Sequence, residues 1–140
     1  MAQTIGEVMT RDPVTLPADS PVRDAAVAMR DADIGDVIVL EEGDRIRGIV
    51  TDRDIALRVI GEGREPTTKL GEICTRDINT VSPDTSVGDA VRLMSKEAIR
   101  RLPVVEGGKP VGIVSLGDLA MEQDPDSALA DISAAEPDSS

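Results

Sequence analysis

The sequence repeats itself. Displaced by 65 positions, Gly6-Glu7 falls on Gly71-Glu72, Thr10-Arg11-Asp12 on Thr75-Arg76-Asp77, and Asp24-Ala25 on Asp89-Ala90. In the same register Thr15, Met29, Ile34 and Val39 meet Thr80, Met94, Ile99 and Val104. One residue is then lost. At a displacement of 64, Gly48-Ile49-Val50 falls on Gly112-Ile113-Val114 and Asp54 on Asp118. The period is longer than the 20–50 residues of solenoid units, so the chain is a duplicated subdomain. A lone copy of about 60 residues would be marginally stable. Pairing two copies about a pseudo-two-fold axis would give both a shared buried face.

Each copy reads β-α-β-β-α. Val14-Thr15-Leu16-Pro17 is an extended segment, and Ser20-Pro21 has the form of an N-cap with Pro at the first helical position. Val22, Ala25, Ala26 and Met29 then recur at helical spacing, predicting a helix that ends near Asp33. The β-branched run Val37-Ile38-Val39-Leu40 predicts a buried strand, Glu42-Gly43-Asp44 a turn, and residues 45–50 a second strand. Thr51 or Asp52 caps a following helix through Ile55, Val59 and Ile60. The second copy repeats this order: an extended Thr80-Val81, a helix over 86–97, strands over 102–105 and 111–114, and a helix from Ser115. The predicted divisions are a first repeat at 4–60, a linker at 61–68, a second repeat at 69–122 and an acidic disordered tail at 123–140, with a short helix possible over 128–132.

Composition excludes whole classes of function. The chain has no His, which removes Ser-His-Asp triads, HExxH zinc sites and imidazole proton relays. It has no Phe, Tyr or Trp, so bases of single-stranded nucleic acid have nothing to stack on. A net charge of −12 disfavours broad polyanion binding. Neither nucleic acid nor membrane is expected as a partner. No apolar run approaches the ~20 residues of a membrane span, and the N-terminus has no basic, apolar signal region; a cytoplasmic location is expected. The single Cys, Cys74, permits no internal disulfide, and alignment with Met9 marks it as a core thiol. Asp31, Asp33 and Asp36 do not have the spacing of an EF-hand loop, so no metal is expected.

The motifs resemble those of a known family. An extended Thr-containing opening, an amphipathic helix, Arg101-Leu-Pro-Val-Val105, and Gly112-Ile-Val-Ser-Leu-Gly-Asp118, matched in the first copy by Gly48-Ile-Val-Thr-Asp-Arg-Asp54, are similar to a tandem pair of cystathionine β-synthase (CBS) domains. The resemblance covers about residues 4–122 and is closest to stand-alone bacterial CBS pairs, including the actinobacterial hypoxic-response type. It implies an α/β (α+β) fold of two β-α-β-β-α repeats, the Bateman module. It further implies a homodimer and a cleft between the repeats that takes an adenosine-type ligand: AMP, ADP or ATP, with NAD(H) or S-adenosylmethionine as further options. Output would run through an effector protein that the sequence does not name. By the family's architecture one cleft would combine Thr15 and the backbone of Gly35, Asp36 and Val37 with Arg100, Arg101, Ile113, Ser115 and Asp118. The other would combine Thr80 and the Arg101–Leu102 backbone with Thr51, Arg53 and Asp54.

Elementary chemistry agrees with a site at the strand–helix junctions. A hydroxyl at Thr51 or Ser115 can meet ribose or phosphate oxygens. A carboxylate three residues on, at Asp54 or Asp118, can accept both ribose hydroxyls, and the helix N-terminus favours phosphate. The same residues would equally serve as helix caps and first-turn acids. Arg100 and Arg101 of the second copy correspond to Gly35 and Asp36 of the first, so only the Ser115/Asp118 cleft is expected to favour phosphate. An enzyme is not expected. The alternative to a sensor is a ligand-free dimeric stress-response or scaffold protein, its dimer face predicted on Val22/Ala26/Met29 and Val87/Val91/Met94.

Overall fold

The computed structural model describes residues 4–123, which fall into two compact units, one of residues 14–78 and one of residues 4–13 with 79–123. The tail predicted over 123–140, with its short helix, lies outside the described residues apart from Gln123. The repeats of the sequence and the units of the structure are thus cut at different places. The opening segment of each repeat belongs to the other unit: 4–13 with the second repeat, 69–78 with the first.

The opening segment holds α1 (Ile5–Val8) and β1 (Thr10–Arg11). The 14–78 unit follows with β2 (Thr15–Pro17), α2 (Val22–Ala32), β3 (Asp36–Glu41), β4 (Arg45–Thr51), α3 (Asp52–Ile55), a π-helical turn (Ala56–Ile60) and α4 (Leu70–Ile73). The chain then returns with α5 (Val87–Glu97), β5 (Arg101–Glu106), β6 (Lys109–Ser115) and α6 (Leu116–Gln123). One sheet has the order β2-β3-β4, with β2 parallel and β4 antiparallel to β3. The other has the order β1-β6-β5, all antiparallel. The expected β-α-β-β-α order is present. Thr80-Val81 makes only an isolated parallel bridge, Val81 to Val104, in place of a strand.

The Gly-Ile-Val motif explains how each opening segment is seated. Thr75 pairs with Ile49, and Thr10 with Ile113, so a crossing backbone lies directly over Gly48 or Gly112. A Cβ at Gly48 would overlap the Thr75 carbonyl oxygen, and one at Gly112 would stand 2.9 Å from the Thr10 carbonyl oxygen. Only glycine admits so close an approach.

Two expectations at the helices need correction. Ser20 does not cap α2; Pro21 occupies the cap, at φ −69° and ψ 150°, with no side-chain acceptor. Its counterpart Ser86 caps α5, accepting from the Asp89 N–H at 3.0 Å. The apolar stripe read as a dimer face is consumed within each unit. Val22 and Met29 are buried with Val37, Val39 and Leu70, and Val87 and Met94 with Ile5, Leu102 and Leu119; Ala26 is exposed. Cys74 is a buried free thiol in the first of these cores, as expected. The helix expected through Ile55, Val59 and Ile60 is α3 followed by the π-helical turn, on which Val59 is buried and Ile60 exposed.

Candidate functional site

The same corner recurs once in each unit. In the 14–78 unit, β4 ends at Thr51, which faces Asp36 at the start of β3. The Asp52 N–H donates to the Gly35 carbonyl at 3.0 Å, locking the start of α3 against the loop before β3. In the other unit, β6 ends at Ser115, which faces Arg101, and the Leu116 N–H donates to the Arg100 carbonyl at 2.7 Å. Gly35, Asp36, Val37, Thr51, Arg53 and Asp54 therefore gather at one corner, and Arg100, Arg101, Leu102, Ser115 and Asp118 at the other. Val37 and Leu102 bury their side chains in the cores and offer only backbone. Thr15 lies beside its corner on β2, paired with Ile38; exposed Thr80 precedes the Val81 bridge. Ile113 sits in mid-strand between Thr10 and Pro103, away from the corner.

The two corners differ in what their carboxylates do. Thr51 and Asp54 form a reciprocal capping box: the Asp54 N–H donates to Thr51 Oγ1 at 3.1 Å, and the Thr51 N–H to Asp54 Oδ2 at 3.0 Å. Asp54 Oδ1 also lies 3.8 Å from Arg58 Nε, and Arg58 Nη1 donates to the Ile73 carbonyl at 3.0 Å. The Asp54 side chain is only 16% exposed. In the second corner Ser115 Oγ accepts from the Asp118 N–H at 3.1 Å, and the exposed Asp118 carboxylate takes no hydrogen bond or ion pair among the described residues. The cap reading thus holds for both hydroxyls, whereas the carboxylate is a structural acceptor only in the first corner. Sequence reasoning missed Arg58, although its i+4 spacing from Asp54 is the ordinary signal for such a pair.

Charge separates the corners further. The first carries Asp36, Asp52 and Asp54 with Arg53 and Arg58; the second carries Arg100 and Arg101 with Asp118. Asp36, Asp52, Arg100 and Arg101 each take part in a polar interaction of their own. Among the described residues no His/Cys/Asp/Glu group is placed to hold a metal, and no helix is long and apolar enough to cross a membrane.

Two β-α-β-β-α units, each ending in a strand–helix corner lined by a hydroxyl and a carboxylate, define a tandem α+β repeat protein. The sequence model of the CBS domain matches both repeats, at residues 5–61 and 70–124. The chain belongs to the CBS-domain family, as a CBS pair. CBS domain-containing protein YhcV of Bacillus subtilis is 38% identical over 120 residues, covering 86% of this chain and 85% of the relative. Hypoxic response protein 1 of Mycobacterium tuberculosis is 35% identical over 97 residues, 69% of this chain and 68% of its own. Among solved structures, the CBS domain pair of protein MJ0100, in complex with 5′-methylthioadenosine and S-adenosyl-L-methionine, matches with a TM-score of 0.78 at 25% identity, over 89% of this chain and 98% of that one.

Proposed function

We propose that the chain is a cytoplasmic, non-catalytic regulatory module that binds an adenosine-type ligand at the Ser115/Asp118 corner and acts through a partner protein. The reading rests on one observation: two corners of the same fold, one carboxylate engaged in a capping box and an ion pair, the other exposed and without a partner among the described residues. Asp118 is the acceptor for the ribose hydroxyls. The Ser115 hydroxyl, already an acceptor, keeps its proton to donate. At the start of α6 the N–H groups of Leu116 and Asp118 are satisfied, which leaves that of Gly117 for a ligand oxygen.

Arg100 and Arg101 favour a phosphorylated ligand, with AMP or ATP ahead of ADP, NAD(H) and S-adenosylmethionine. One charge at ~4 Å and an effective dielectric near 20 is worth about 4 kcal/mol before desolvation and screening. Adenine, with no aromatic side chain to stack on, is held by aliphatic contacts and backbone hydrogen bonds. The adenosine-type ligands of the MJ0100 pair support the ligand class.

A second reading, a ligand-free dimeric stress-response or scaffold protein, is favoured by Leu57 and Ile60, 53% and 71% exposed on the π-helical turn. Large apolar side chains held in water so close together suit an interface with a second copy. Isothermal titration of the full chain against AMP, ADP, ATP, NADH and S-adenosylmethionine separates the readings. Saturable binding of at least one supports the sensor; binding of none leaves the scaffold.

A further inference from the structure

The repeats differ in length where β3 turns into β4. That hairpin turns through three residues, Glu42–Asp44. The hairpin from β5 to β6 turns through two, Gly107 and Gly108, at φ 62° and 81°, the positive φ pair that a tight two-residue turn requires. Arg47 of β4 stands where β6 has Val111, and Ala18 stands where the second copy has Pro83. The departures meet in space: Ala18, Arg47 and the longer turn line one cavity of about 440 Å³, within the ~300–1,000 Å³ of small-molecule sites. The cavity lies at the Glu41–Arg45 end of the β3–β4 ladder, opposite the Asp36–Thr51 end that carries the first corner.

The cavity holds unmet charge of both signs. Val111 packs on the core of its unit, whereas Arg47 brings a half-buried guanidinium to the same register. A guanidinium has five N–H donors. Among the described residues this one makes a single long hydrogen bond, Nη2 to the Gly71 carbonyl at 3.4 Å, and its Nε is buried without an acceptor there. Arg47 takes part in none of the ion pairs among the described residues. Yet Asp19, Glu41, Glu42 and Asp44 line the same cavity; among the described residues Asp19 is paired with Lys69, 3.8 Å away, and the other three enter no ion pair. Carboxylates and guanidinium share one space without meeting.

A molecule that satisfies both carries a carboxylate for the Arg47 fork and cationic groups for the acidic rim. With Asp19 paired to Lys69, three acids (Glu41, Glu42 and Asp44) against one base call for a net positive charge. The geometry points to a second small-molecule site, on the first repeat alone, that takes a basic amino acid. The site is independent of the adenosine corner.

Titration of the full chain with L-lysine, putrescine and acetate tests it. Lysine binds with a dissociation constant below about 1 mM. Putrescine, without the carboxylate, and acetate, without the ammonium groups, bind about tenfold weaker or worse. Arg47→Gln reduces lysine to the putrescine level and leaves AMP titration as in the parent chain. The paired change Glu42→Gln/Asp44→Asn, in an exposed turn, also weakens lysine, and it serves if Arg47→Gln does not fold. Absence of saturable lysine binding, equal binding of lysine and putrescine, or undiminished lysine binding by folded Arg47→Gln would each overturn the assignment.

Discussion

Asp54→Ala and Asp118→Ala separate a structural carboxylate from a binding one. Removing the Asp54 side chain leaves the Thr51 N–H, now bonded at 3.0 Å, without its acceptor at a half-buried helix start. Loss of such a cap costs about 1–2 kcal/mol. The Arg58 pair adds little: at 3.8 Å, with Arg58 45% exposed, it is worth about 0.3–0.5 kcal/mol after solvent screening. The total of roughly 1.5–2.5 kcal/mol corresponds to a melting temperature lower by about 5 °C or more. Asp118 is exposed, and its carboxylate accepts nothing among the described residues. Its loss stays within about 0.5 kcal/mol of the parent, while removal of a charged acceptor from ribose weakens nucleotide binding tenfold or more. Thermal melts followed by circular dichroism, the chain having no Trp or Tyr, and AMP titration of both variants read the two effects separately. The reasoning is refuted if Asp118→Ala melts as low as Asp54→Ala, or if Asp54→Ala loses AMP affinity and Asp118→Ala keeps it.

Gly48→Ala and Gly112→Ala each press a methyl group against a crossing backbone carbonyl and lower stability by about 1–3 kcal/mol, read in denaturant melts; an unchanged midpoint would contradict the close approach. Ala98 ends α5 at φ 54° and ψ 43°, a left-handed conformation that costs a Cβ-bearing residue about 1–2 kcal/mol. Ala98→Gly therefore raises the melting temperature slightly, glycine's greater unfolded entropy offsetting part of the gain. Leu57→Glu with Ile60→Glu converts a dimer to a monomer in light scattering without lowering helix content. A parent chain that is already monomeric at micromolar concentration would remove the homodimer.

The repeat made most of the fold legible. Helix α2 and its end at Asp33, the strand pairs and the caps at Thr51 and Ser115 follow from local pattern, because spacing, β-branching and capping are local properties. What stayed hidden is set by three-dimensional fit. Nothing in the order of residues says that Thr75 crosses Gly48, so the sequence by itself places each opening segment in its own repeat. Helical spacing identifies Val22 and Met29 as one apolar face, but the same spacing serves a unit's own core or a partner's. Thr51-Asp52-Arg53-Asp54 and Ser115-Leu116-Gly117-Asp118 look alike as motifs. They part only when Arg58 and the Thr51 N–H are seen to engage Asp54 and nothing among the described residues engages the Asp118 carboxylate. The one-residue offset between the repeats is visible in the sequence, as is Arg47 against Val111, but only the fold brings that turn, Ala18 and Arg47 to one cavity.

The stoichiometry of AMP on the full chain tests the central claim most directly. The account predicts one AMP per chain in isothermal titration, weakened tenfold or more by Asp118→Ala and retained in Asp54→Ala. Two equal sites per chain, or one site whose affinity Asp118→Ala leaves unchanged, would contradict it.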